Sequence, residues 1–507
     1  MITRRSGTAA IKTSMSIRDK TKAFIKNFVI YGLGNIANKI ITVVLIPVTT
    51  RYLLVMEVGL LALLEMLELF LTTILMMGIG NAVWRYLGRD TEENDRTIIF
   101  SAYIGRLAIN ILIVAVLIIF SDLITRFLNI PPEYLNLVIL IIVNSLLVAA
   151  SNFVLSLWRY FDHSLQFSIY STARFFLIVS FSLYFVIVLD LRVLGIVYAK
   201  LIVNGLGFLY SILYVFIKYR STISSSVYLK LQRYGFYFIL LALVTPILNT
   251  ANRLFINHFL TLDEVAIFSI AFKFGMLINI LLVTPMQLAW LPMMYKLGTD
   301  TKSTRYYRDF AYYYTIIASL VFILIAIFRE QLLLALTTAD YLTGAKYIPM
   351  VAAAYLINGY RHFFMSGSAI KDKTSFLGYA SIMTIIINLL LNNWLIGSFG
   401  IWGAVVTTLL SYIVLSVTIL MASQTIIKVN WGWPKISGVM LCMVIFILIH
   451  EYIISSNFLP NWTLKSIIFI GYILALRLTG LISQKEIRGL IELMDKIMSR
   501  LAIKNSN

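Results

Sequence analysis

Acidic residues and cysteine are both scarce in this sequence of 507 residues. Only 23 Asp and Glu stand against 42 Lys and Arg, and charged residues of both signs make up 13% of the chain. The one cysteine, Cys442, excludes an intramolecular disulfide and a cysteine-based metal cluster. The sequence has no GxxxxGK[ST] phosphate loop, and His450-Glu451 has Ile454 where a zincin would place its second histidine. We therefore expect no ATP hydrolysis, no metal and no cofactor.

Apolar residues are correspondingly abundant in the sequence. They make up 60% of the chain, and the mean hydropathy is +0.88, which is typical of an all-α polytopic membrane protein. Windows of about 20 residues, enough to cross about 30 Å of hydrocarbon, predict fourteen transmembrane helices. They cover residues 24–50, 58–84, 97–120, 135–157, 166–189, 194–217, 236–258, 265–290, 310–328, 347–370, 375–396, 401–423, 436–450 and 466–480.

The loops between these helices predict the orientation in the membrane. Lys and Arg number 29 on the side that holds both termini and 6 on the other side. Because basic loops stay in the cytoplasm, we expect both termini of this multi-pass inner or plasma membrane protein to be cytoplasmic. Residues 1–23 then form a retained basic arm. The net charge of +19 is spread over many loops, so it does not indicate nucleic-acid binding.

The extramembrane segments are short. No connecting loop exceeds about 18 residues, which leaves no room for a soluble catalytic domain, so we do not expect an enzyme. Residues 481–507 carry apolar side chains at helical spacing among Lys and Arg, which predicts an amphipathic helix on the cytoplasmic surface. A solvated charged tail is the alternative.

The chain resembles itself at an offset of about 208 residues. Tyr52–Leu60 is similar to Phe259–Ile267 between the first two helices of each half, and two further matches open the fifth and sixth helices. Because each half has an even number of helices, we expect two parallel six-helix lobes. The predicted lobes are residues 24–217 and 236–423, followed by two appended helices within residues 436–480.

Seven cations lie inside the predicted membrane helices, where each costs roughly 2.5 to 3.5 kcal/mol. They are Lys39, Arg106, Arg174, Lys200, Arg253, Lys273 and Arg361. Lys39, Arg106, Arg174 and Arg361 lie deepest, and we expect them to bind an anion, with Arg253 and Lys273 as secondary members. For Arg253, Lys200 and Lys273, pairing or snorkelling to the interface is an equal alternative.

Uncharged polar residues and two carboxylates share the same helices. The amides that we expect to line a cavity are Asn35, Asn38, Asn249, Asn358 and Asn388. Interhelical hydrogen bonding is the alternative role for each of them. Glu65 and Glu68 are three residues apart on one face, so we expect them to pair with Lys39 or Arg106; carrying a coupling proton or Na⁺ is the alternative.

The ligand chemistry follows from these side chains. Arg donates paired hydrogen bonds to phosphate, and Lys supplies a point charge. Asn, Thr and Tyr suit a ligand with many hydroxyl groups. A lipid-linked sugar diphosphate has both features, so it is the ligand that the sequence favours.

Several segments resemble a known family. They are Lys39 in a long first helix, Arg51-Tyr52-Leu53, Glu57–Leu60, and Met77–Tyr86 at the end of the second helix. From Phe28 to Gly480 the chain resembles the Wzx-type oligosaccharide flippases of the polysaccharide-transport branch of the multidrug/oligosaccharidyl-lipid/polysaccharide exporter superfamily.

The resemblance implies a transporter of two lobes in a V shape that works by alternating access. Its substrate would be an undecaprenyl-diphosphate-linked glycan of O-antigen, capsule or exopolysaccharide synthesis, moved from the cytoplasmic to the outer leaflet. The expected partners are this lipid-linked oligosaccharide, membrane lipids and glycan polymerase machinery. A MATE-type drug exporter and a non-transporting scaffold of glycan assembly are the alternatives.

Overall fold

A computed structural model describes residues 45–87, 94–297, 301–371, 375–455 and 462–482. The basic arm, most of the first predicted span and nearly all of the predicted amphipathic tail lie outside the described residues. Lys39, Asn35 and Asn38 lie outside them as well. The described chain is built from helices and contains no strand.

Many helices begin and end close to the points that hydropathy predicted, whereas the helices Ser225–Thr250 and Thr301–Ile327 begin well before the predicted residues 236 and 310. After a helical segment at residues 45–52, the first eight helices are α1 Val55–Leu75, α2 Ile79–Tyr86, α3 Asp95–Ile119, α4 Ser121–Phe127, α5 Leu135–Tyr160, α6 Ser164–Leu183, α7 Arg192–Tyr219 and α8 Ser225–Thr250. The next twelve are α9 Asn252–Phe259, α10 Leu262–Gly275, α11 Thr284–Leu297, α12 Thr301–Ile327, α13 Arg329–Leu336, α14 Ile348–Phe364, α15 Ser366–Ile370, α16 Ser375–Leu391, α17 Gly397–Phe399, α18 Ile401–Gln424, α19 Trp433–Ser455 and α20 Trp462–Leu478.

Short turns of other helix types extend several of these elements. The structure has 3₁₀ turns at Pro132–Tyr134 and Ala339–Tyr347, and π-helical turns at Tyr184–Val188, Asn279–Val283 and Asn392–Ile396. Each π turn adjoins an α-helix and lengthens the helical stretch, and the turn at Tyr184–Val188 is also where its helix ends.

Ten helical stretches of the described chain are long and apolar enough to cross a membrane, which confirms a multi-pass membrane protein. Three further predicted spans have shorter or broken helices. The span predicted at 236–258 is divided between α8 and α9 at Ala251. The helices α14 and α20 have 17 residues each, the lower limit for crossing the hydrocarbon layer.

The described residues form two compact units. The N-unit comprises Leu67–Leu123 and Glu133–Leu240, and the C-unit comprises Ile46–Met66, Ile124–Pro132 and the described residues from Leu241 onward. In the N-unit, α7 packs against both α5 and α6. In the C-unit, α18 packs against α14 and α16, and α12 packs against α14 and α19. The division into two six-helix repeats remains a prediction.

The N-unit contains a sharp change of direction between α1 and α2. Met77 and Gly78 both have positive φ, 52° and 63°. A Cβ atom at Gly78 would lie 2.2 Å from the carbonyl oxygen of Gly235, so only glycine allows α8 to approach this closely. The turn and the approach together hold the short helix α2 against the first half of α8.

Charged side chains tie the two appended helices into the C-unit. Arg329, at the start of α13, forms a two-pronged ion pair with Glu451 of α19, in which Nη2 donates to Oε2 at 2.9 Å. Lys465 of α20 donates to Oε2 of Glu330 at 3.2 Å and to Oε1 of Gln331 at 2.9 Å. The appended helices are therefore integral to the packing of this unit.

Candidate functional site

Part of the embedded polar cluster lies in the N-unit. Lys200 Nζ donates to Glu68 Oε2 at 2.8 Å, and both side chains are largely buried. One turn along α7, Asn204 accepts a hydrogen bond from Arg174 Nε at 2.8 Å and donates to Asn144 Oδ1 at 2.7 Å. We call these five residues the N-cluster.

The carboxylate of the N-cluster is paired with Lys200 and not with Arg174. Glu68 is near enough to Arg174 for an electrostatic interaction, but the direct partner of the guanidinium is the neutral Asn204 amide. The two terminal nitrogens of Arg174 make no hydrogen bond with the described residues. They are the donors that an oxyanion would use.

Arg106, also in the N-unit, has different surroundings. Its side chain is 2% exposed, donates to the carbonyl oxygen of Ala149 at 3.1 Å and lies 4.9 Å from the ring centre of Phe153. These contacts place it among packed helices. The described residues include no ion-pair partner for it, and its Nε has no hydrogen-bond partner among them, so its predicted role in anion binding stays a prediction.

The C-unit holds a second embedded cluster. Lys273 Nζ lies 3.8 Å from Glu65 Oε2, and Arg253 Nε donates to Ser269 Oγ at 3.0 Å. Arg253 is buried and lies within electrostatic range of both Glu65 and Tyr355. The lysine is again the ion-pair partner of the carboxylate, and the arginine is held by a neutral group.

A tyrosine and asparagine network extends the C-unit cluster. Asn249 Oδ1 accepts hydrogen bonds from Tyr355 at 2.9 Å and from Tyr412 at 2.6 Å. Arg361 lies within electrostatic range of Tyr412, and its Nε has no hydrogen-bond partner among the described residues. These four residues with Glu65, Arg253, Ser269 and Lys273 form what we call the C-cluster.

The structure separates the predicted amides into two kinds. Asn388 donates to Ser411 at 2.9 Å and accepts from Asn392 at 3.0 Å, so it joins α16 to α18 as the interhelical alternative expected. Asn249 belongs to the C-cluster, and Asn358 is buried with its Oδ1 unpartnered in the described chain. An unpartnered buried amide oxygen is suited to accept a hydrogen bond from a hydroxyl group of a ligand.

The structure tests the predicted partners of the two carboxylates only for Arg106, because Lys39 lies outside the described residues. Glu65 and Glu68 were expected to pair with Lys39 or Arg106. Among the described residues, their ion pairs are with Lys273 and Lys200. The prediction rested on the shared helix face of the two glutamates, whereas pairing depends on which helices are neighbours.

Sequence reasoning also missed neutral members of both clusters. Tyr355, Tyr412, Asn144, Asn204 and Ser269 were not predicted as site residues. Tyr355 precedes Arg361 by six residues on α14, and Asn204 follows Lys200 by four on α7. A spacing of four places Asn204 on the same helix face as Lys200, so spacing was a signal for Asn204, whereas a spacing of six places Tyr355 on a different face from Arg361 and does not identify it.

Comparisons with known proteins agree with this architecture. Residues 24–298, more than half of the chain, match the model of the family described as polysaccharide biosynthesis protein. No curated protein matches the sequence significantly.

Solved structures share the fold at low sequence identity. The lipid II flippase MurJ, in an inward-closed conformation, has a TM-score of 0.72 and 15% identity, covering 89% of this chain and 98% of that one. A multidrug resistance MATE family transporter of the MOP superfamily has TM-scores of 0.55 outward-facing and 0.56 inward-facing, each at 15% identity. These two structures cover 79% and 82% of this chain and 95% and 96% of their own.

The family match, the helical fold and the embedded clusters lead to one assignment. The chain belongs to the polysaccharide biosynthesis protein family and is a multi-pass membrane protein with the fold that the solved MurJ and MATE structures share.

Proposed function

We propose that this transporter moves a polyprenyl-diphosphate-linked oligosaccharide from the cytoplasmic to the outer leaflet by alternating access. The embedded arginines bind the diphosphate: Arg174 in the N-cluster, and Arg253 and Arg361 in the C-cluster. Lys39, outside the described residues, is part of the same proposal. The product would supply O-antigen, capsule or exopolysaccharide synthesis, with glycan polymerase machinery as a partner.

The pairing pattern in the clusters is the observation that carries this proposal. Both embedded glutamates pair with lysines, and none of the embedded arginines forms an ion pair with a described carboxylate. A buried cation without a counter-charge is costly unless an anion binds it during function. The planar guanidinium group suits a diphosphate, which offers several oxygens at the right spacing.

The neutral groups of the clusters support a glycan on the same ligand. The Asn249, Tyr355 and Tyr412 network offers amide and phenol groups, which exchange hydrogen bonds with sugar hydroxyls. A cationic drug would meet arginines without carboxylate partners. The clusters therefore disfavour a MATE-type substrate, although the fold is shared.

The two glutamates have a simpler role in this proposal than ion coupling. Each neutralises a lysine, Glu68 at 2.8 Å and Glu65 at 3.8 Å. Neutralising the lysines leaves the arginines as the net positive groups. Glu65, in the longer pair, is the better of the two candidates for exchanging a proton or Na⁺.

Flipping of a fluorescent polyprenyl-diphosphate oligosaccharide in proteoliposomes tests the proposal. We expect Arg174→Gln and Arg361→Gln each to lower the initial rate at least about tenfold, which corresponds to about 1.4 kcal/mol. Arg174→Lys and Arg361→Lys should retain part of the rate, because they keep the charge but lose the planar fork.

Arg220→Gln is the matched control, because Arg220 is an exposed arginine after the end of α7. It should flip at the wild-type rate. Wild-type rates in both glutamine variants would overturn the role of the arginines. A wild-type protein that flips no polyprenyl-diphosphate glycan, with full pathway activity in cells, would favour the scaffold alternative.

A further inference from the structure

The segment Met77–Tyr86 is the most family-like part of the sequence, yet the embedded clusters do not use it. Its structure depends on the positive φ of Met77 and Gly78 and on the backbone approach of Gly78 to Gly235. This approach fixes α2 against the first three turns of α8. Side chains near the end of α2 therefore meet side chains of α8 at a defined place.

Cations and aromatic rings alternate where the two helices meet. The Arg85 guanidinium lies 4.4 Å from the ring centre of Tyr234, and Lys230 Nζ lies 5.6 Å from the ring centre of Tyr86. The two rings are edge to face at 6.2 Å. Each tyrosine thus carries a cation on its face, which holds the cation in place.

A surface cavity opens beside this group. It has a volume of about 490 Å³ and is lined by Tyr86, Leu229, Lys230, Arg233 and Tyr234. A second cavity of about 350 Å³ shares Leu229 and Arg233 with it and adds Gln232 and Phe236. Arg233 therefore lies between two neighbouring cavities and is exposed to both.

The charge of this surface is not neutralised within the described chain. Arg85, Lys230 and Arg233 are exposed, and the structure gives none of them an ion pair with a described carboxylate. Lys230 and Arg233 line the larger cavity, and Arg85 lies against the ring of Tyr234, which lines it too. Three cations this close together attract a group with more than one negative charge. A phosphate or diphosphate is the biological group of this charge and size.

The apolar neighbours indicate what carries the phosphate. Leu229 and Phe236 are exposed on the same part of α8, beside the cations. A basic and aromatic surface with exposed apolar side chains is typical of the headgroup level of a membrane. A soluble phosphate would gain nothing from these apolar groups, whereas a lipid would place its chain against them.

We propose that Arg85, Lys230 and Arg233 form a binding pocket for the phosphate group of a membrane lipid. In the proposed orientation, the pocket lies at the cytoplasmic face. If the proposed function is right, the pocket receives the diphosphate of the substrate before the embedded arginines do. The phosphate of an anionic phospholipid has the same chemistry and is the other source.

Native mass spectrometry of the delipidated protein distinguishes the two sources. Undecaprenyl diphosphate, phosphatidylglycerol and phosphatidylcholine are added separately. The measurement compares the pocket variant Arg85→Gln/Lys230→Gln/Arg233→Gln with the control variant Lys218→Gln/Arg220→Gln. The control fits because Lys218 is also exposed and lies over tyrosine rings, at 5.4 Å from Tyr214, without lining either cavity.

We expect the pocket variant to bind at least about fivefold less of an anionic lipid than wild type, because three exposed charge contacts are removed. The control should bind like wild type. A loss limited to undecaprenyl diphosphate identifies the substrate as the ligand, and a loss for phosphatidylglycerol too identifies lipid phosphates in general. Unchanged binding of both lipids overturns the proposal.

The same comparison in a background protein that also carries Arg174→Gln/Arg361→Gln distinguishes lipid binding at the pocket from binding at the proposed transport site. Binding that remains in that background and disappears with the three pocket substitutions belongs to the pocket. If the background binds like wild type, the embedded arginines fail as a diphosphate site while the pocket result stands.

Two further variants keep the test valid if the triple variant folds poorly. Arg233→Gln alone removes an exposed side chain that makes no hydrogen bond with the described residues, and it should lower anionic lipid binding by about twofold. Arg85→Lys/Lys230→Arg conserves the charge and should bind normally.

In flipping assays, pocket variants should raise the substrate concentration for half-maximal rate and leave the maximal rate unchanged; the reverse pattern would contradict reception at this pocket.

Discussion

Buried and half-buried cations in the C-unit fall into two groups with opposite surroundings. Arg329 and Lys465, 6% and 4% exposed, contact the carboxylates of Glu451 and Glu330. Arg253 and Arg361 contact neutral groups or have unpartnered nitrogens, with no ion pair in the described chain. Since burying a charge without a counter-charge is costly, the first group is explained by packing and the second is not. An unpaired buried arginine is therefore the better indication of a ligand.

The N-unit repeats this contrast on a smaller scale. Lys200 has the carboxylate of Glu68, and Arg174 has only the amide of Asn204. Depth in the membrane does not separate the two cations, because both lie inside predicted spans. The difference is the chemistry of the nearest partner. Substitutions that break a pair should cost stability, and substitutions that remove an unpaired arginine should cost transport.

The largest loss of stability is expected from Glu451→Gln. It leaves the guanidinium of Arg329, 6% exposed, without its carboxylate, and should lower the free energy of unfolding by about 2 kcal/mol, less than for a fully buried pair because Glu451 is 43% exposed. Unfolding is followed with a dye that becomes fluorescent on reaction with an exposed thiol, since Cys442 is the sole cysteine and lies on the same helix. Arg477→Gln, at the exposed end of α20, is the control. If Glu451→Gln is as stable as wild type, the ion pair of Arg329 is not needed for stability, and paired cations no longer differ from unpaired ones in this respect.

Arg361→Met is expected to have the opposite profile. Flipping should fall about tenfold, about 1.4 kcal/mol, while the free energy of unfolding stays the same or rises because a half-buried charge without an ion-pair partner in the described chain is removed. Thermal unfolding and the flipping rate are measured on the same preparation. A clear fall in stability with normal flipping per folded molecule would place Arg361 with the structural group.

Glu68→Gln should cost about 1 kcal/mol of unfolding free energy. It leaves Lys200 without its carboxylate, but both side chains keep some exposure, 16% and 17%. The double variant Glu68→Met/Lys200→Met should recover most of the loss, because it leaves no charge uncompensated. A double variant as unstable as the single one would show that the pair is not the source of the loss.

Glu65→Gln should have the smallest effect, about 0.5 kcal/mol or less. Its distance to Lys273 is 3.8 Å, and the two side chains are 34% and 21% exposed, so solvent weakens the pair. Unfolding and flipping are again measured together. A stable Glu65→Gln protein that loses the dependence of flipping on a proton or Na⁺ gradient would instead assign ion coupling to Glu65.

Much of the helix plan was predictable, because apolar length is a property of the sequence alone. The spans predicted at 135–157 and 401–423 correspond to Leu135–Tyr160 and Ile401–Gln424. The thickness of a bilayer and the polar residues at each end determine these bounds. The confirmed family assignment rests on such local patterns as well.

The partners of the embedded charges were not predictable in the same way. Glu68 and Lys200 are 132 residues apart, and nothing in the spacing of either identifies the other. Their pairing follows from the packing of distant helices, which periodicity does not encode. The segment Met77–Tyr86 shows the same limit: its pattern stood out in the sequence, but its contact with Gly235 on α8 is visible only in the fold.

The approach of Gly78 to Gly235 also has a consequence for genetics. A Cβ at Gly78 would meet a backbone oxygen at 2.2 Å, and one at Gly235 would meet the carbonyl oxygen of Met77 at 2.7 Å. At Gly359 the obstacle is a side chain, the Tyr314 hydroxyl at 1.8 Å. A smaller residue at position 314 removes the clash with an alanine at 359. The obstacle at Gly78 is a backbone oxygen, which every residue at position 235 carries, so no substitution there removes it. Suppressor selections should therefore yield second-site changes for Gly359→Ala, and only true revertants for Gly78→Ala.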